Sequence, residues 1–280
     1  MGPARGVGIG LRPLHYEHIL ARRPAVPWFE VISENYMGLR DGFGGRPLEK
    51  LLAVSERYPI SLHGVSMNIG SADPLSKDYL CKLKKLIAAV RPVSVSDHLC
   101  WTGVGGRNAH DLLPLPYNEA TAAYLADRIR RVQDILGRRF LIENVSSYLS
   151  YARSEMTEWE FLASVAEKAD CGILLDINNI HVSATNHAFD ARDYLSGIPI
   201  MRVGEMHLAG YSEQEGFLLD THDHPVSDPV WALYADASRR FGPVPTLIEW
   251  DENIPNFERL EAEAARAQEV RRSARIPSAA

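Results

Sequence analysis

The sequence predicts a single (β/α)8 TIM barrel within a chain of 280 residues. Three observations indicate this fold. Eight short apolar, β-branched runs recur along the chain, longer segments of helical periodicity separate them, and the length suits a barrel of ~250 residues. Alternating strands and helices favour a parallel sheet, and eight units favour its closure into a barrel over an open sheet.

The eight strand candidates share short apolar runs that are followed by polar residues. They span residues 7–13, 28–36, 59–67, 92–101, 139–146, 171–179, 202–211 and 245–251. Helical patterns lie between them at 46–57, 77–90, 117–137, 156–169 and 227–241. No G-x-G-x-x-G motif follows the first strand, so a dinucleotide-binding sheet lacks its main signature.

The pattern indicates one domain without a linker or repeat. We expect the barrel to occupy residues 1–267. Residues 268–280, where charges are followed by Pro-Ser-Ala-Ala, are expected to form a flexible tail.

Composition excludes several classes of protein. Hydrophobic residues make up 46% and charged residues 24%, which is typical of a globular protein with a sizeable core. The sequence has neither an apolar stretch of ~18 residues nor a signal-peptide pattern, so we expect a cytoplasmic protein without a membrane partner. A net charge of −6 argues against nucleic acid. Three cysteines without a C-x-x-C pair predict reduced thiols.

Polar residues end most of the predicted strands, where a barrel places its catalytic groups. In chain order these are His63, Asp97, His98, Glu143, Asn144, Asp176, Asn178, Asn179, His207, Glu249 and Asp251. A further cluster, residues 220–225 (DTHDHP), follows the seventh strand. Crowded carboxylates would repel one another, and bound cations would relieve that repulsion.

The residue types indicate which metals the ring could hold. Imidazole and carboxylate donors without thiolate suit iron, zinc or manganese, and one carboxylate can bridge two ions. The sequence therefore predicts a site with two or three ions. In extended geometry, Asp220 and His222 would both reach one ion.

Each of these residues also has a plainer interpretation. A single histidine at a strand end is more often a hydrogen-bonded structural residue, and residues 220–225 could form a charged, solvated loop. Four other histidines, His15, His18, His110 and His187, are expected at the surface, away from the strand ends.

Seven motifs in order resemble the multinuclear non-haem iron-dependent oxidase family, whose members include the enzyme that builds the copper-chelating peptide methanobactin. They are SLHG (61–64), SDHLCW (96–101), IENVSSY (142–148), LLDINNIH (174–181), EMHLAGY (205–211), DTHDHPV (220–226) and IEWDENIP (248–255). The resemblance runs from the first strand to the last and so covers nearly the whole chain.

The resemblance implies a set of iron ligands. His63 and His98 would hold one outer iron, and Glu143 would bridge it to a central iron that also binds Asp176, His207 and Glu249. A third ion would take Asp220 and His222, with Asn179 close by. Glu143, Asp176 and His207 would surround the reacting centre.

The resemblance also implies a reaction and its partners. A mixed Fe(II)/Fe(III) cluster would use O2 to modify a cysteine in a ribosomally made precursor peptide. A separately encoded protein would bind the leader of that peptide, giving a heterodimer. The same need follows from the barrel, because a closed sheet in which every strand is paired offers a peptide no free edge.

Three alternatives remain open. A metal-dependent phosphodiesterase or endonuclease shares the fold and most of the ligands, but those endonucleases carry a histidine where this chain has Asn179. A sugar isomerase of the xylose type shares the fold but favours carboxylates and a lysine. A metal-storing or peptide-binding scaffold without turnover is the third alternative.

Overall fold

The computed structural model describes residues 4–38 and 43–274. Eight parallel strands form the barrel: β1 (Val7–Gly10), β2 (Phe29–Ile32), β3 (Ile60–Gly64), β4 (Ser94–His98), β7 (Leu141–Glu143), β8 (Gly172–Asp176), β9 (Val203–Leu208) and β12 (Thr246–Ile248). They close in the order β1-β12-β9-β8-β7-β4-β3-β2. This confirms the predicted TIM barrel, and each strand lies inside one of the eight predicted segments.

Helices surround the barrel between successive strands. They are α1 (Tyr16–Arg22), α2 (Gly45–Ser55), α3 (Lys77–Val90), α4 (Glu119–Leu136), α5 (Glu158–Ala169), α6 (Ile177–His187), α7 (Ala191–Gly197), α8 (Asp228–Phe241) and α9 (Phe257–Ser273). The five predicted helices are confirmed to within two residues. Within the described residues, no helix is long and apolar enough to cross a membrane.

Helix α3 shows how the sequence builds the outer layer. Leu80, Leu83 and Leu86 recur at helical spacing, and all three are buried. Ser76 caps the helix by accepting a hydrogen bond from the backbone N–H of Tyr79 at 3.2 Å.

Two boundaries differ from the prediction. The sixth strand ends at Asp176, not at residue 179, because the Asp176 carboxylate caps α6 by accepting the N–H of Asn179 at 2.6 Å. Helix α9 continues through residues 268–273 of the predicted tail, since Val270 packs against the core and Arg271 is buried. Residues 275–280 of that tail lie outside the described residues.

Two antiparallel hairpins interrupt the βα connections. One joins β5 (Trp101–Val104) to β6 (Arg107–Leu113) after β4, and the other joins β10 (Ser212–Gln214) to β11 (Phe217–Leu219) after β9. Both follow carboxyl ends of barrel strands. The barrel strands are all paired, as expected, but each hairpin is a separate two-stranded sheet with outer edges, so the expectation that the chain offers no free strand edge is wrong.

The segment after β3 is held in place by Arg128 of α4. This buried side chain donates from Nε to the carbonyl of Ile69 at 2.7 Å and from Nη1 to the carbonyl of Asp73 at 2.9 Å. The same Nη1 lies 2.9 Å from the Tyr124 hydroxyl. One arginine thus provides hydrogen-bond donors for backbone carbonyls in the segment that follows β3 and His63.

We predict that Arg128→Gln lowers the free energy of unfolding by about 1–3 kcal/mol, because buried carbonyls lose their donors. Urea unfolding followed by circular dichroism measures the change. Arg131→Gln on the same helix is the matched control, since Arg131 is 67% exposed and its ion pair with Asp127 is worth little. Equal losses in the two variants would contradict the role given to Arg128.

Candidate metal centre

The carboxyl ends of the barrel strands bring the predicted ligands together in the interior. Eight of them are buried: His63, His98, Glu143, Asp176, Asn179, His207, His222 and Glu249. Asp220 lies at the rim, with its side chain 15% exposed. Four overlapping groups can be drawn from these residues together with Glu30. Within each group the metal-binding atoms lie within 4.8 Å of one another.

The first group contains His63, His98 and Glu143. The Nε2 atoms of the two histidines lie 3.3 and 3.4 Å from Oε2 of Glu143. Ligands bound at ~2.1 Å around a tetrahedral ion stand ~3.4 Å apart, so these three atoms fit one ion.

Hydrogen bonds turn both of these rings toward the centre. Nδ1 of His63 is bonded to the Ser96 hydroxyl at 2.8 Å, and Nδ1 of His98 donates to the carbonyl of Gly64 at 3.1 Å. Position 64 needs glycine, because a Cβ there would collide with the Asp97 carboxylate. Each Nε2 is thereby left to face Glu143.

The second group contains Glu143, Asp176 and His207. Nδ1 of His207 lies 3.8 Å from Oε1 of Glu143 and 3.0 Å from Oε2 of Glu249. The two oxygens of Glu143 therefore face different groups, Oε2 toward the paired histidines and Oε1 toward His207. This is the geometry of a carboxylate that can bridge two ions.

The third group contains Asp176, His222 and Glu249. Nδ1 of His222 lies 3.3 Å from Oε2 of Glu249, and its Nε2 lies 2.7 Å from Oδ1 of Asp220. The expected extended geometry is wrong, because His222 adopts a left-handed backbone with φ of 47°. That turn still brings the His222 ring to the Asp220 carboxylate.

Asn144 and Asn179 fasten β7 to the start of α6. Asn144 accepts the N–H of Asp176 at 2.9 Å and donates to its carbonyl at 3.0 Å. Asn179 Nδ2 donates to the Asn144 carbonyl at 3.0 Å. The amide oxygen of Asn179 is thus directed away from this contact and remains available to a cation.

Buried atoms without hydrogen-bond partners test whether metal ions fit. Within residues 4–38 and 43–274 these include Oε2 of Glu143, Oδ2 of Asp176 and Oδ1 of Asn179. Buried polar atoms are seldom left unsatisfied, and these are all oxygen atoms of a kind that binds metals. The residues present therefore fit a cluster of metal ions.

Burial and mutual repulsion dominate the electrostatics of Glu143 and Asp176. Burial, together with neighbouring carboxylates, raises the pKa of Glu143 well above its ordinary value and that of Asp176 to about 7. Both shifts disfavour the charged form, so without a cation these two groups favour keeping their protons. Burial acts to raise the pKa of Glu249 too, but His207 and His222 hold it well below its ordinary value.

The histidines divide into two kinds. Burial lowers the pKa of His63 and His98, so both rings are neutral donors at neutral pH. Burial also acts to lower the pKa of His207 and His222, but the carboxylates around them raise it well above its ordinary value. Without a metal ion, His207 and His222 would therefore favour their protonated forms and balance the charge of those carboxylates.

Sequence reasoning missed two buried glutamates. Glu30 of β2 belongs to a fourth group with His207 and Glu249, and its Oε1 lies 3.0 Å from Nε2 of His207. Glu205 of β9 lies 3.9 Å from the same nitrogen. The available signal was a charged residue within an apolar strand (FEVI and VGEMHL), where burial calls for a partner.

Other residues singled out from the sequence have structural roles. Asp97 accepts the backbone N–H groups of Met67 at 3.1 Å and His98 at 2.8 Å, so it holds the turn after β3. Asp251 pairs with Arg12 and lies 3.2 Å from Nδ1 of His222. His15, expected at the surface, is buried against Phe257.

Solved structures agree with the fold. Endonuclease IV from Thermus thermophilus superposes with a TM-score of 0.59 at 14% identity, covering 96% of this chain and 99% of that one. A xylose isomerase-like TIM barrel protein from Mycobacterium smegmatis, in complex with magnesium, gives a TM-score of 0.61 at 12% identity, with coverages of 98% and 99%. At such identities the likeness shows the fold alone.

Sequence comparisons are more specific. A UPF0276 protein from Acaryochloris marina is 55% identical over 267 residues, covering 95% of each chain. A UPF0276 protein from Caulobacter vibrioides is 53% identical over 262 residues, covering 93% of this chain and 92% of the relative. A family model described as RiPP precursor modification enzyme MbnB/TglH/ChrH matches residues 6–272. The chain therefore belongs to this family of enzymes that modify ribosomally made precursor peptides, the family of the multinuclear non-haem iron-dependent oxidases.

Proposed function

We propose that the protein is a multinuclear iron-dependent oxidase that uses dioxygen to modify a cysteine in a ribosomally synthesised precursor peptide. The observation that carries the proposal is the buried convergence of histidines and carboxylates, in which carboxylate oxygens of Glu143 and Asp176 lack hydrogen-bond partners. Membership of a family that modifies such peptides supports the substrate class.

The donor set favours iron over harder or softer metals. Each group combines imidazole nitrogen with carboxylate oxygen, and none of the groups found among the described residues contains a cysteine. Such donors suit iron, zinc or manganese and do not suit copper(I). Iron is the member of this set that exchanges electrons readily with dioxygen.

We assign the first two sites from the overlapping groups and the third from the resemblance to the iron-dependent oxidase family. His63 and His98 hold one outer iron, and Glu143 joins it to a central iron that Asp176, His207 and Glu249 complete. Asp220, His222 and Asn179 hold a third ion. The partner-free amide oxygen of Asn179 supports its role, and a neutral amide donor makes this third ion the weakest held.

The protein residues set the conditions for the chemistry. When bound, ferric iron would supply a Lewis acid for the substrate thiolate, and ferrous iron would supply electrons to O2. The buried side of the centre, around His63 and His207, excludes water. The substrate thiol must approach from the rim at Asp220, where the centre is least covered.

A second protein that captures the leader completes the proposal. A precursor peptide is poorly ordered when free, and its leader needs an extended binding surface. Residues 4–38 and 43–274 fold into the barrel and its connections, without a separate recognition domain. We therefore propose a heterodimer in which the partner docks near the barrel mouth.

The metal assignment predicts about two to three irons per chain in protein purified from iron-supplemented cells, since the ligands saturate that many ions. Elemental analysis and Mössbauer spectroscopy measure the count and the oxidation states. Zinc as the only tightly bound metal, with no activity gained on iron reconstitution, would favour a hydrolase.

The substrate assignment predicts conversion only when the chain, its partner, the precursor and O2 are all present. Co-expression with each component omitted in turn, followed by mass spectrometry of the precursor and oxygen uptake, measures this. Full conversion without the partner would remove the partner from the proposal. An unchanged precursor mass with every component present and iron loaded would count against the oxidase itself.

The bridging role of Glu143 predicts that Glu143→Gln loses about two ions per chain, because a charge shared by both is removed. His63→Ala is the comparison and should lose about one, since His63 faces a single group. Iron content and turnover are measured together. Full iron content and full turnover in Glu143→Gln would show that the carboxylate does not bridge.

A further inference from the structure

The ribbon formed by β10 and β11 has two outer edges, and one of them is already covered. The N–H of Leu218 in β11 donates to Oδ1 of Asn186 at 2.8 Å, and the carbonyl of Leu218 accepts from Nδ2 of the same amide at 3.0 Å. Asn186 thus binds β11 with one donor and one acceptor, as a neighbouring strand would.

The strand register shows what the other edge offers. Glu213 pairs with Leu218 in the antiparallel ribbon. Because the backbone groups of Leu218 turn outward to Asn186, this pair is one that shares no hydrogen bonds. The N–H and C=O of Glu213 therefore point away from β11, and neither has a hydrogen-bond partner among residues 4–38 and 43–274.

A groove runs along this free edge of β10. Its volume is about 650 Å³, and it is lined on one side by Tyr211–Gln214 and on the other by His224–Asp228. No residue of β11 lines it, so it lies on the side of β10 toward which Glu213 directs its backbone groups.

The groove lies close to the candidate metal centre. The Ser212 hydroxyl at the start of β10 is hydrogen-bonded to the Thr221 hydroxyl at 3.0 Å. Thr221 stands between Asp220 and His222, the two residues at the exposed side of the centre. A chain lying along β10 would therefore pass the opening through which a substrate side chain reaches the metals.

The groove has an acidic lining, which favours some peptides over others. Its lining contains Glu213 and Asp228 but no lysine or arginine. Asp228 is paired with Arg266, whereas Glu213 is exposed and makes no ion pair within the described part of the chain. The groove is therefore complementary to a peptide with basic residues near the bound segment.

We infer that the free edge of β10 binds the backbone of the precursor peptide as an added strand, holding a basic or neutral segment beside the cysteine to be modified. This inference rests on the proposed function for its occupant. An exposed strand edge is recognised by another extended backbone, and alternate side chains of that backbone would point into the groove. The partner protein and β10 then hold different parts of one peptide.

The test uses the iron-loaded protein and a defined probe, the capped peptide Lys-Thr-Val-Thr-Cys-Thr-Val-Lys with a benzophenone label. Photo-crosslinking yield against peptide concentration gives relative affinity, and mass spectrometry locates the labelled residues. We expect labelling within residues 211–214 and 224–228. A probe with both lysines replaced by glutamate should bind more weakly.

Two changes at one position separate backbone from side-chain recognition. Glu213→Pro removes the outward N–H without removing a ribbon hydrogen bond, and should weaken probe binding about tenfold. Glu213→Ala keeps the N–H and should change binding of the lysine probe less than about threefold. A probe N-methylated at alternate residues should weaken binding to the unaltered protein, which makes the test independent of the folding of the proline variant.

Each outcome decides between the inference and its rejection. Unchanged labelling in Glu213→Pro together with unchanged binding of the N-methylated probe would overturn it, as would labelling elsewhere or no labelling at millimolar probe. Iron content and precursor conversion are measured on the same proteins. Conversion that persists without binding at β10 rejects the inference and leaves the proposed function standing, whereas an iron-free, inactive wild type rejects the proposed function.

Discussion

The repulsion among buried carboxylates at one end of the barrel is the constraint on which the structure of the site depends. Glu143, Asp176 and Glu249 face one interior space from three different strand ends. Moving one ionised carboxylate into such a space costs several kcal/mol, and each further one adds repulsion. Bound cations would remove both penalties together and would let these side chains share the barrel interior.

The scaffold orients these groups through hydrogen bonds that use one atom of each ligand and leave another free. Asp176 gives one oxygen to the cap of α6, and its second oxygen lacks a partner. His98 donates from Nδ1 to a carbonyl and turns Nε2 inward. Fixing the unused atom of a ligand also fixes the direction of the used one, so the barrel positions the donor atoms before any ion arrives.

Much of this arrangement could be predicted from the sequence, because the βα alternation specifies the barrel and a barrel collects its strand ends. Glu30 and Glu205 were not predicted as site residues because they lie inside strands. There, periodicity alone does not tell which side chains face the interior of the barrel. The run at 171–179 resembled one strand because its residues are uniformly apolar up to Asp176. Only the hydrogen bond from Asn179 shows that the chain turns into a helix there. The β10–β11 hairpin was missed because each of its strands has three residues and carries no strong pattern.

The two sides of the centre differ in access, and the difference has a chemical consequence. His63, Glu143 and His207 are almost completely buried, whereas Asp220 reaches the rim and His222 stands beside it. A ligand can exchange only where solvent or substrate can reach, so under the proposed assignment the site at Asp220 is the one that opens to the substrate. Asp220 directly follows the β10–β11 ribbon in the chain, so the ribbon stands next to this rim. Under the two proposals, a closed barrel thereby offers a strand edge to an extended chain beside the exposed side of its metal centre.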